Sequence, residues 1–556
     1  MEKNRKPGER VTVILRDDRR CEAELLDANR SYDLSLLRLV KPGPYPYTPL
    51  DEKVALQLGD PVLKLGHPLG YRPGRDPVVR LGRVLYWGDD SFVPDCLISG
   101  GDSGGPLFDL DGRLVGIVRN DTMPEIIPET IQKCPDMARR VGRFCAYSTN
   151  SLIRARMDAM RRGEFPAFDL TAMANLRKAT GTLPVERWSQ GRAVLSAFRD
   201  VVTQARSSVV GIQDGQDVVA LGTVVGADGW IVTKASQLPA EPKCRLPDGR
   251  VVGAAVAGID PAFDLALLKV SATGLRAIEW ADQPAPTAGT FLAAPGAQDL
   301  PLAVGVVSVP RRDLPGPFPT RIDPPRKRPA ALPEVIGSAV QGRGYWVEFV
   351  EGRAAAAGIQ PGDVILTIAG DPVRRHQDLA DCVKGHWAGQ RVPVRVHRAG
   401  NTLEFTMRLR AEGDSSSMSL RADDFPTVFE HDMPILDYEN GGPVVDLAGK
   451  ALGITIARVG PHGCMAIPGD CIQRLLPDLK SGKLAAHWSA YREALALQAS
   501  PPTPPSTTQP KPGKAVSLTL DELKQKLTER AERFKSLLVE YDVVSEAHVE
   551  PRLLMA

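Results

Sequence analysis

Two stretches of this chain repeat, and the repeat constrains the fold strongly because both copies must share one architecture. Shifting the 556-residue chain by 231 positions aligns residues 17–37 with residues 248–268 without a gap. A second pair, residues 101–117 and 438–454, aligns at a shift of 337. The second copy therefore contains an insertion of 106 residues, the size of a small domain.

At roughly 150 residues per domain, the 556 residues suggest three or four domains, and a chain that is 43% apolar and 24% charged has the composition of a globular protein. A formal net charge of +2 argues against nucleic acid or an anionic membrane as partner. The apolar stretches are shorter than the ~20 residues of a membrane helix, and no signal peptide is evident. The eight cysteines show neither C-x-x-C pairs nor zinc-ligand spacing, so we expect no disulfide framework, metal or cofactor.

Short β-branched runs between glycine and proline turns predict a mainly β chain with few helices. Residues 146–154 and 466–474 resemble each other, and each runs into a predicted helix with Asn150 or Asp470 at its cap. Apolar residues at spacings of three and four predict one amphipathic helix over 517–545. This helix could dock on the body of the protein or pair two chains, so a homo-oligomer is one candidate.

The segment G-D-S-G-G-P at residues 101–106 has the chemistry of a nucleophile turn. Glycines on both sides of Ser103 allow a strained turn in which backbone N–H groups converge into an oxyanion hole. A serine hydroxyl also needs a histidine base oriented by a buried carboxylate. Asp33, at the end of an otherwise apolar strand, is the candidate carboxylate, because an ionised group there needs a partner. The alternative is that the turn and the aspartate are packing features.

With these motifs, residues 10–163 and 190–480 each resemble trypsin-fold serine proteases of the HtrA (Deg) family. The resemblance implies two β-barrels in each copy and proteolysis of the kind that serves protein quality control. It further implies Ser103 as nucleophile, Asp33 as the acid that orients the histidine, and the amides of Gly101 and Ser103 as the oxyanion hole.

The same resemblance locates the histidine and the specificity pocket. In the second copy the family's T-x-x-H pattern ends at Ser236, and a shift of 231 puts the corresponding position of the first copy near Arg5. The histidine and the strands before it are therefore expected upstream of Met1. Two explanations stay open: a start codon recorded too far downstream, or a real truncation that exposes strand edges. The resemblance also places Leu97 at the bottom of the specificity pocket, which would favour a substrate with a small apolar residue before the cleaved bond.

The second copy departs from the family pattern at two of three triad positions. Asp264 is kept, but Ser236 replaces the histidine and Asn440 replaces the nucleophile. Since asparagine cannot be acylated in that role, the second copy is predicted to be a pseudoprotease. Two histidines elsewhere are interpreted as structural: His67, at a turn, and His431, beside an aspartate of the shared scaffold.

Residues 332–411 closely resemble a PDZ domain, through G-Y-W-V-E-F-V and the G-I-Q-P-G-D-V-I that follows. PDZ domains bind a peptide as an added strand and hold its carboxylate with backbone N–H groups. The resemblance places peptide binding at four residues: Val335, Ile336, Gly337 and Ser338.

These features predict a mainly β chain of trypsin-like double barrels, with the first copy truncated at its N-terminus and the second interrupted by the PDZ domain. The predicted boundaries are 1–163 for the first copy, 164–189 for a helical linker, 190–310 and 412–485 for the two parts of the second copy, 311–331 for a Pro/Arg-rich linker, 332–411 for the PDZ domain, 497–516 for a Pro-rich linker and 517–545 for the helix.

The leading functional prediction is an HtrA-type serine endopeptidase that cleaves unfolded or extended polypeptides and binds peptide C-termini. A different class is a non-catalytic scaffold in which both copies and the PDZ domain bind peptides and nothing is cut. A third is a structural assembly protein joined through the 517–545 helix. The family suggests an extracytoplasmic, periplasmic location, although the sequence shows no export signal.

Overall fold

The computed structural model describes most of residues 7–499, which belong to one compact unit, and residues 500–556 lie outside the described residues. The described residues are 7–29, 34–50, 56–68, 70–72, 74–87, 91–118, 147–162, 182–282, 286–314, 319–320, 330, 335–340, 344–350, 354, 357–386, 390–409, 419, 421–459 and 463–499. Asp33 and the predicted helix over 517–545 therefore lie outside them.

The first copy consists of a small open sheet followed by a closed barrel. The sheet contains β1 (Arg10–Ile14), β2 (Arg20–Asn29) and β3 (Leu34–Leu39), antiparallel and in that order. The barrel contains β4 (Pro61–Gly66), β5 (Val78–Trp87), β6 (Ser91–Pro94), β7 (Pro106–Asp109), β8 (Leu114–Val118) and β9 (Tyr147–Thr149), in the order β4-β5-β6-β9-β8-β7. Helix α1 (Asn150–Arg161) follows β9.

The second copy begins after two short helices, α2 (Arg192–Ala197) and α3 (Arg199–Val202). Its first barrel contains β10 (Val209–Asp214), β11 (Asp217–Gly226), β12 (Trp230–Lys234), β13 (Lys243–Arg245), β14 (Val251–Asp260) and β15 (Leu265–Val270), in the order β10-β11-β12-β15-β14-β13. Two strands of its second barrel follow, β16 (Phe291–Ala294) and β17 (Ala303–Asp313).

The PDZ domain is inserted between β17 and the next strand of the second barrel. It contains β18 (Val335–Val340), β19 (Gly344–Val350), β20 (Val364–Ile368), β21 (Asp371–Pro372), helix α4 (His376–Val383), β22 (Arg391–Arg398) and β23 (Asn401–Arg408). Its sheet runs β18-β19-β20-β22-β23, with β21 paired to β20 and β18 at an edge. A core of its own, including Val347, Ile365 and Val394, fills the space beneath this sheet.

The chain then completes the second barrel. The remaining strands are β24 (Thr427–His431), β25 (Pro443–Val445), β26 (Ala451–Arg458) and β27 (Cys464–Pro468), and the barrel closes in the order β16-β17-β24-β27-β26-β25. Helices α5 (Gly469–Lys480) and α6 (Ala485–Ala499) follow. No helix among the described residues is long and apolar enough to cross a membrane.

The strands described in the first copy have the same order and pairing as their counterparts in the second copy. The sheet β1-β2-β3 corresponds to β13-β14-β15, and the bulge of β2 between Leu25 and Asp27 recurs in β14 between Val256 and Gly258. Counterparts of β10, β11 and β12 are not among the described residues of the first copy. The prediction of a mainly β, trypsin-like fold with a PDZ domain is confirmed.

Candidate active site

Ser103 is exposed in the turn that leads into β7. Gly101 and Gly104 have φ angles of 94° and 78°, which glycine adopts without steric cost. A Cβ atom on Gly101 would lie 2.4 Å from the carbonyl oxygen of His67, so no larger residue fits there. Among the described residues, no group accepts a hydrogen bond from the amide of Gly101 or Ser103. The two N–H groups without an acceptor lie beside an exposed hydroxyl, and their role as an oxyanion hole stays a prediction.

The barrel holds this turn through backbone hydrogen bonds. The amide of Gly104 donates to the carbonyl of Val118 on β8 at 3.1 Å, and the amide of Val118 donates to Gly105 at 2.9 Å. Inside the turn, the amide of Gly105 donates to the carbonyl of Asp102 at 2.9 Å. The position of Ser103 is therefore set by strand pairing, which favours preorganised chemistry.

A buried cluster of charges lies beneath the turn. The Asp102 carboxylate accepts hydrogen bonds from Lys64 Nζ at 2.5 Å, from Arg80 at 3.3 Å and from the amide of Ser99 at 2.9 Å. The side chains of Lys64, Arg80 and Asp102 are at most 1% exposed. Both cations also donate to the carbonyl of Leu97, at 2.9 and 2.6 Å. Burial, helped by the charge of Arg80, lowers the pKa of Lys64 to about 8.

Sequence reasoning missed Lys64 and Arg80, although a signal was present. Lys64 is in phase with Val62 and Gly66 along β4, and Arg80 is in phase with Val78 along β5. Alternate residues of a strand point to the same face, so each cation shares the inward face of its strand with buried residues, a phase that becomes clear only from the sheet.

Leu97 lies on the wall of a cavity of about 180 Å³ between the two copies. Asp95 of the first copy and Asp432 of the second also line this cavity, whereas Gly101 and Ser103 do not. The role of Leu97 in substrate selection therefore stays a prediction.

Among the described residues, no histidine is hydrogen-bonded to Ser103. His67 is partly buried beside the turn, and its ring packs edge-to-face with Tyr71 at 5.9 Å. Burial lowers the pKa of His67, and no hydrogen bond joins it to Ser103 within the described part of the chain. Because Asp33 lies outside the described residues, its predicted role stays a prediction.

In the second copy the structure brings together two of the three predicted triad positions. Ser236 donates to Asp264 through its hydroxyl at 2.8 Å and through its amide at 2.7 Å. Lys234, fully buried, donates to the same carboxylate at 2.6 Å and to the carbonyl of Ile456 at 2.8 Å. The carboxylate is thus fully engaged with a hydroxyl and an ammonium group, neither of which can serve as the imidazole base of a triad.

The third position, Asn440, is buried and bonded elsewhere. Its side-chain nitrogen donates to Ser419 Oγ at 2.9 Å and to the carbonyl of Asp437 at 2.8 Å. No hydrogen bond joins Asn440 to Ser236 in the part of the chain that the structure describes. The amide of Leu221, on β11, donates to the carbonyl of Asn440 at 2.8 Å, so the first barrel covers this turn.

The turn of the second copy is closed where the turn of the first copy is open. Residues Asp437–Glu439 form a 3-10 turn, and the amide of Asn440 donates to the carbonyl of Asp437 at 3.3 Å. Tyr438 stands where the first copy has Gly101 and does not adopt a positive φ. A tyrosine pays a steric cost in that conformation, so the sequence difference explains why the amide equivalent to that of Ser103 is occupied.

The four predicted peptide-binding residues lie on the PDZ edge strand β18: Val335, Ile336, Gly337 and Ser338. Within the described residues this strand pairs only with β19, and helix α4 packs beside it. The hydroxyl of Tyr345 donates to the carbonyl of Gly337 at 2.7 Å and lies 2.9 Å from Nδ1 of His376, the first residue of α4. An edge strand beside a helix is suited to strand addition by a peptide.

Family models match this architecture. A trypsin-like peptidase domain matches residues 2–117 and 220–317, and a PDZ domain matches residues 344–409. The two stretches of the peptidase match fall in the two copies.

The chain is also similar to two relatives that share one name and to a solved structure with another name. The chain is 25% identical over 426 residues to a protein named probable periplasmic serine endoprotease DegP-like from Hahella chejuensis, covering 72% of this chain and 76% of that protein. A protein of the same name from Ectopseudomonas mendocina is 37% identical over 118 residues, covering 20% of this chain and 24% of the relative. The solved structure of the HtrA-type protease AlgW with decapeptide is 17% identical and covers 39% of this chain and 98% of that chain, with a TM-score of 0.20. The trypsin-like peptidase and PDZ matches, together with the DegP-like relatives, support an HtrA-type protease that carries a PDZ domain.

Proposed function

We propose that the first copy hydrolyses peptide bonds in unfolded or extended polypeptides, with Ser103 as the nucleophile. The observation that supports this most directly is the contrast between the two turns. Ser103 is exposed beside two open amides, whereas Asn440 is buried with its amide occupied. The chain thus holds one turn shaped for acyl transfer and a second, closed turn of the same ancestry.

In this proposal Ser103 Oγ attacks the peptide carbonyl carbon and gives its proton to an imidazole base. The carbonyl oxygen becomes negatively charged and accepts hydrogen bonds from the amides of Gly101 and Ser103. The C–N bond then breaks, the amine leaves with the proton from the imidazole, and water releases the acyl group from Ser103 by the reverse sequence. Asp33 orients the imidazole, which belongs to a histidine that we expect upstream of Met1.

The second copy is assigned a supporting, non-catalytic role. Ser236 and Asp264 are hydrogen-bonded, but Asn440 carries no nucleophile and its turn is closed. The PDZ domain is assigned the binding of polypeptide C-termini along β18, where one side of the edge strand has no partner strand among the described residues. The names of the relatives support an extracytoplasmic location.

The test is covalent labelling of Ser103 by a fluorophosphonate, in a protein extended at its N-terminus to include the upstream histidine. We expect labelling that is abolished by Ser103→Ala and weakened at least 1,000-fold by removing the histidine. Casein cleavage should follow the same order.

Absence of labelling in the extended protein would overturn the catalytic proposal. The non-catalytic scaffold would then be the better account, provided that C-terminal peptides still bind. Fluorescence anisotropy of a labelled C-terminal peptide measures this binding, and Ser338→Pro on β18 is the matched variant, because proline removes a backbone donor from the edge strand.

A further inference from the structure

The buried cations beneath Ser103 exist in one copy only. Lys64 and Arg80 face each other on β4 and β5, and the residues that face each other at the same place on β16 and β17 are Ala294 and Ala303. This correspondence is independent of sequence similarity. Three residues after Arg80, the amide of Arg83 donates to Asp95, and three residues after Ala303 the amide of Val306 donates to Asp432.

The acidic partner, by contrast, is shared. Asp102 accepts a hydrogen bond from the amide of Ser99 at 2.9 Å, and Glu439 accepts one from the amide of Leu436 at 2.9 Å. Both carboxylates thus cap the segment that leads into the turn. In the first copy Lys64 and Arg80 both donate to the carboxylate of Asp102, and the matching positions on β16 and β17 of the second copy are the alanines Ala294 and Ala303.

The two copies also anchor the segment before the turn at different carbonyl groups. In the first copy, Lys64 and Arg80 both donate to the carbonyl of Leu97. In the second copy, Arg458 donates to the carbonyl of Ile435 at 2.9 Å, which is one residue closer to the turn than the counterpart of Leu97. In the first copy, where Lys64 and Arg80 hold the segment, the turn is open. In the second copy, where Arg458 holds it, residues Asp437–Glu439 form a 3-10 turn.

We propose that Lys64 and Arg80 are positioning residues that keep the oxyanion turn of the first copy open. Each cation donates hydrogen bonds both to the carboxylate of Asp102, which follows Gly101 in the chain, and to the carbonyl of Leu97, which precedes it. The segment between these two points cannot tighten into a 3-10 turn without breaking charge-assisted hydrogen bonds in a dry interior, where they are strong. The catalytic meaning of this arrangement rests on the proposed function, but the conformational effect does not.

The experiment transplants the residues of the second copy into the first. The full-length variant Lys64→Ala/Arg80→Ala/Asp102→Glu carries the residues that stand at the matching positions of the second copy, which are Ala294, Ala303 and Glu439. Two readouts are compared with the unchanged protein: hydrogen exchange of the Ser103 amide, and the rate of fluorophosphonate labelling in the N-terminally extended protein. Because the amide closes onto a carbonyl, we expect its exchange to slow at least tenfold and labelling to fall at least 100-fold.

Lys234→Met is the matched control. Lys234 is a buried lysine that bonds a buried aspartate at 2.6 Å and a backbone carbonyl, as Lys64 does, but it belongs to the second copy. We expect this variant to lower the melting temperature and to leave exchange and labelling at Ser103 unchanged. Lys64→Arg, which keeps the charge, should retain most of the labelling.

Unchanged exchange of the Ser103 amide in the transplanted variant would overturn the proposal. If that variant does not fold, Arg80→Gln takes its place, with at least threefold slower exchange expected and an unchanged rate counting against the proposal. A failure of the proposed function gives a different result. The unchanged protein is then not labelled by the fluorophosphonate, while hydrogen exchange of the Ser103 amide still tests whether Lys64 and Arg80 keep the turn open.

Discussion

Asp432 of the second copy accepts a hydrogen bond of 2.7 Å from the backbone amide of Leu81 in the first copy. Its other carboxylate oxygen accepts the amide of Val306, on β17, at 2.6 Å. One buried side chain therefore joins β5 of the first copy to β17 of the second. Since Arg80 precedes Leu81 on β5, the strand that brings this cation to the turn of Ser103 is held by the second copy.

The equivalent aspartate of the first copy makes a different second contact. Asp95 accepts the amide of Arg83 at 2.6 Å, as Asp432 accepts that of Val306, but its remaining bonds come from the amide and hydroxyl of Ser189. The interface is therefore asymmetric although the barrels match. The linker caps one aspartate, and the neighbouring copy caps the other.

Replacement of Asp432 by asparagine should change how stability depends on pH. Burial raises the pKa of Asp432 to about 6, above its ordinary value, so its contribution to stability is greatest below about pH 4 and is lost as pH rises through 6. The unfolding free energy of the unchanged protein minus that of Asp432→Asn should fall by up to about 1.4 kcal/mol per pH unit over this window. Urea denaturation at pH 4.5 and 7 measures it, with the exposed Asp299→Asn as control. A difference that rises with pH would contradict the prediction.

His431, the neighbour of Asp432, should act in the opposite sense. It is fully buried, its Nε2 atom lies 3.2 Å from Thr455 Oγ1, and burial lowers its pKa to about 3. Between about pH 6.5 and 3, His431 is protonated in the unfolded chain but neutral in the folded chain. The protein therefore loses stability as pH falls through this range. His431→Gln should flatten this acid sensitivity by up to about 1.4 kcal/mol per pH unit. The exposed His397→Gln is the control, and equal acid sensitivity in both variants would refute the assignment.

Gly101→Ala should remove reactivity as well as stability. The Cβ atom would meet the carbonyl oxygen of His67 at 2.4 Å, and the φ of 94° is unfavourable for alanine. We expect a stability loss of about 1–3 kcal/mol and a fall in Ser103 labelling of about 100-fold or more, because one oxyanion donor is misplaced. Gly112→Ala is the matched variant, since Gly112 has a φ of 80° and open space around its Cβ position. Gly112→Ala should lower the unfolding free energy by about 1 kcal/mol and leave the labelling of Ser103 unchanged. Equal labelling of the two variants would contradict the predicted role of the Gly101 amide.

The repeat made the barrels predictable, because an ungapped alignment transfers strands and registers together. The shift of 231 carries β2 and β3 onto β14 and β15 residue for residue, including the bulge. Glycine spacing likewise predicted the turn of Ser103, since Gly101 and Gly104 need positive φ whatever surrounds them.

The charge cluster could not be predicted in the same way. Lys64 and Arg80 are 38 and 22 residues away from Asp102 in the sequence, and only barrel closure brings them together. Charged residues on a strand usually point to solvent, so the inward phase of the two cations is informative only once the sheet order is known. The closed turn of the second copy was easier to foresee, because Tyr438 occupies a position at which the first copy needs glycine.

Restoring the triad residues of the second copy should therefore not restore its reactivity. In a Ser103→Ala background, Ser236→His/Asn440→Ser supplies a base beside Asp264 and a nucleophile, but the amide at position 440 remains bonded to the carbonyl of Asp437. We expect no fluorophosphonate labelling of this variant, and detectable labelling only after Tyr438→Gly is added, because glycine accepts the positive φ that opens the turn. Mass spectrometry of the labelled peptide locates the modified serine. Labelling of the variant that keeps Tyr438 would show that the 3-10 turn does not block the chemistry.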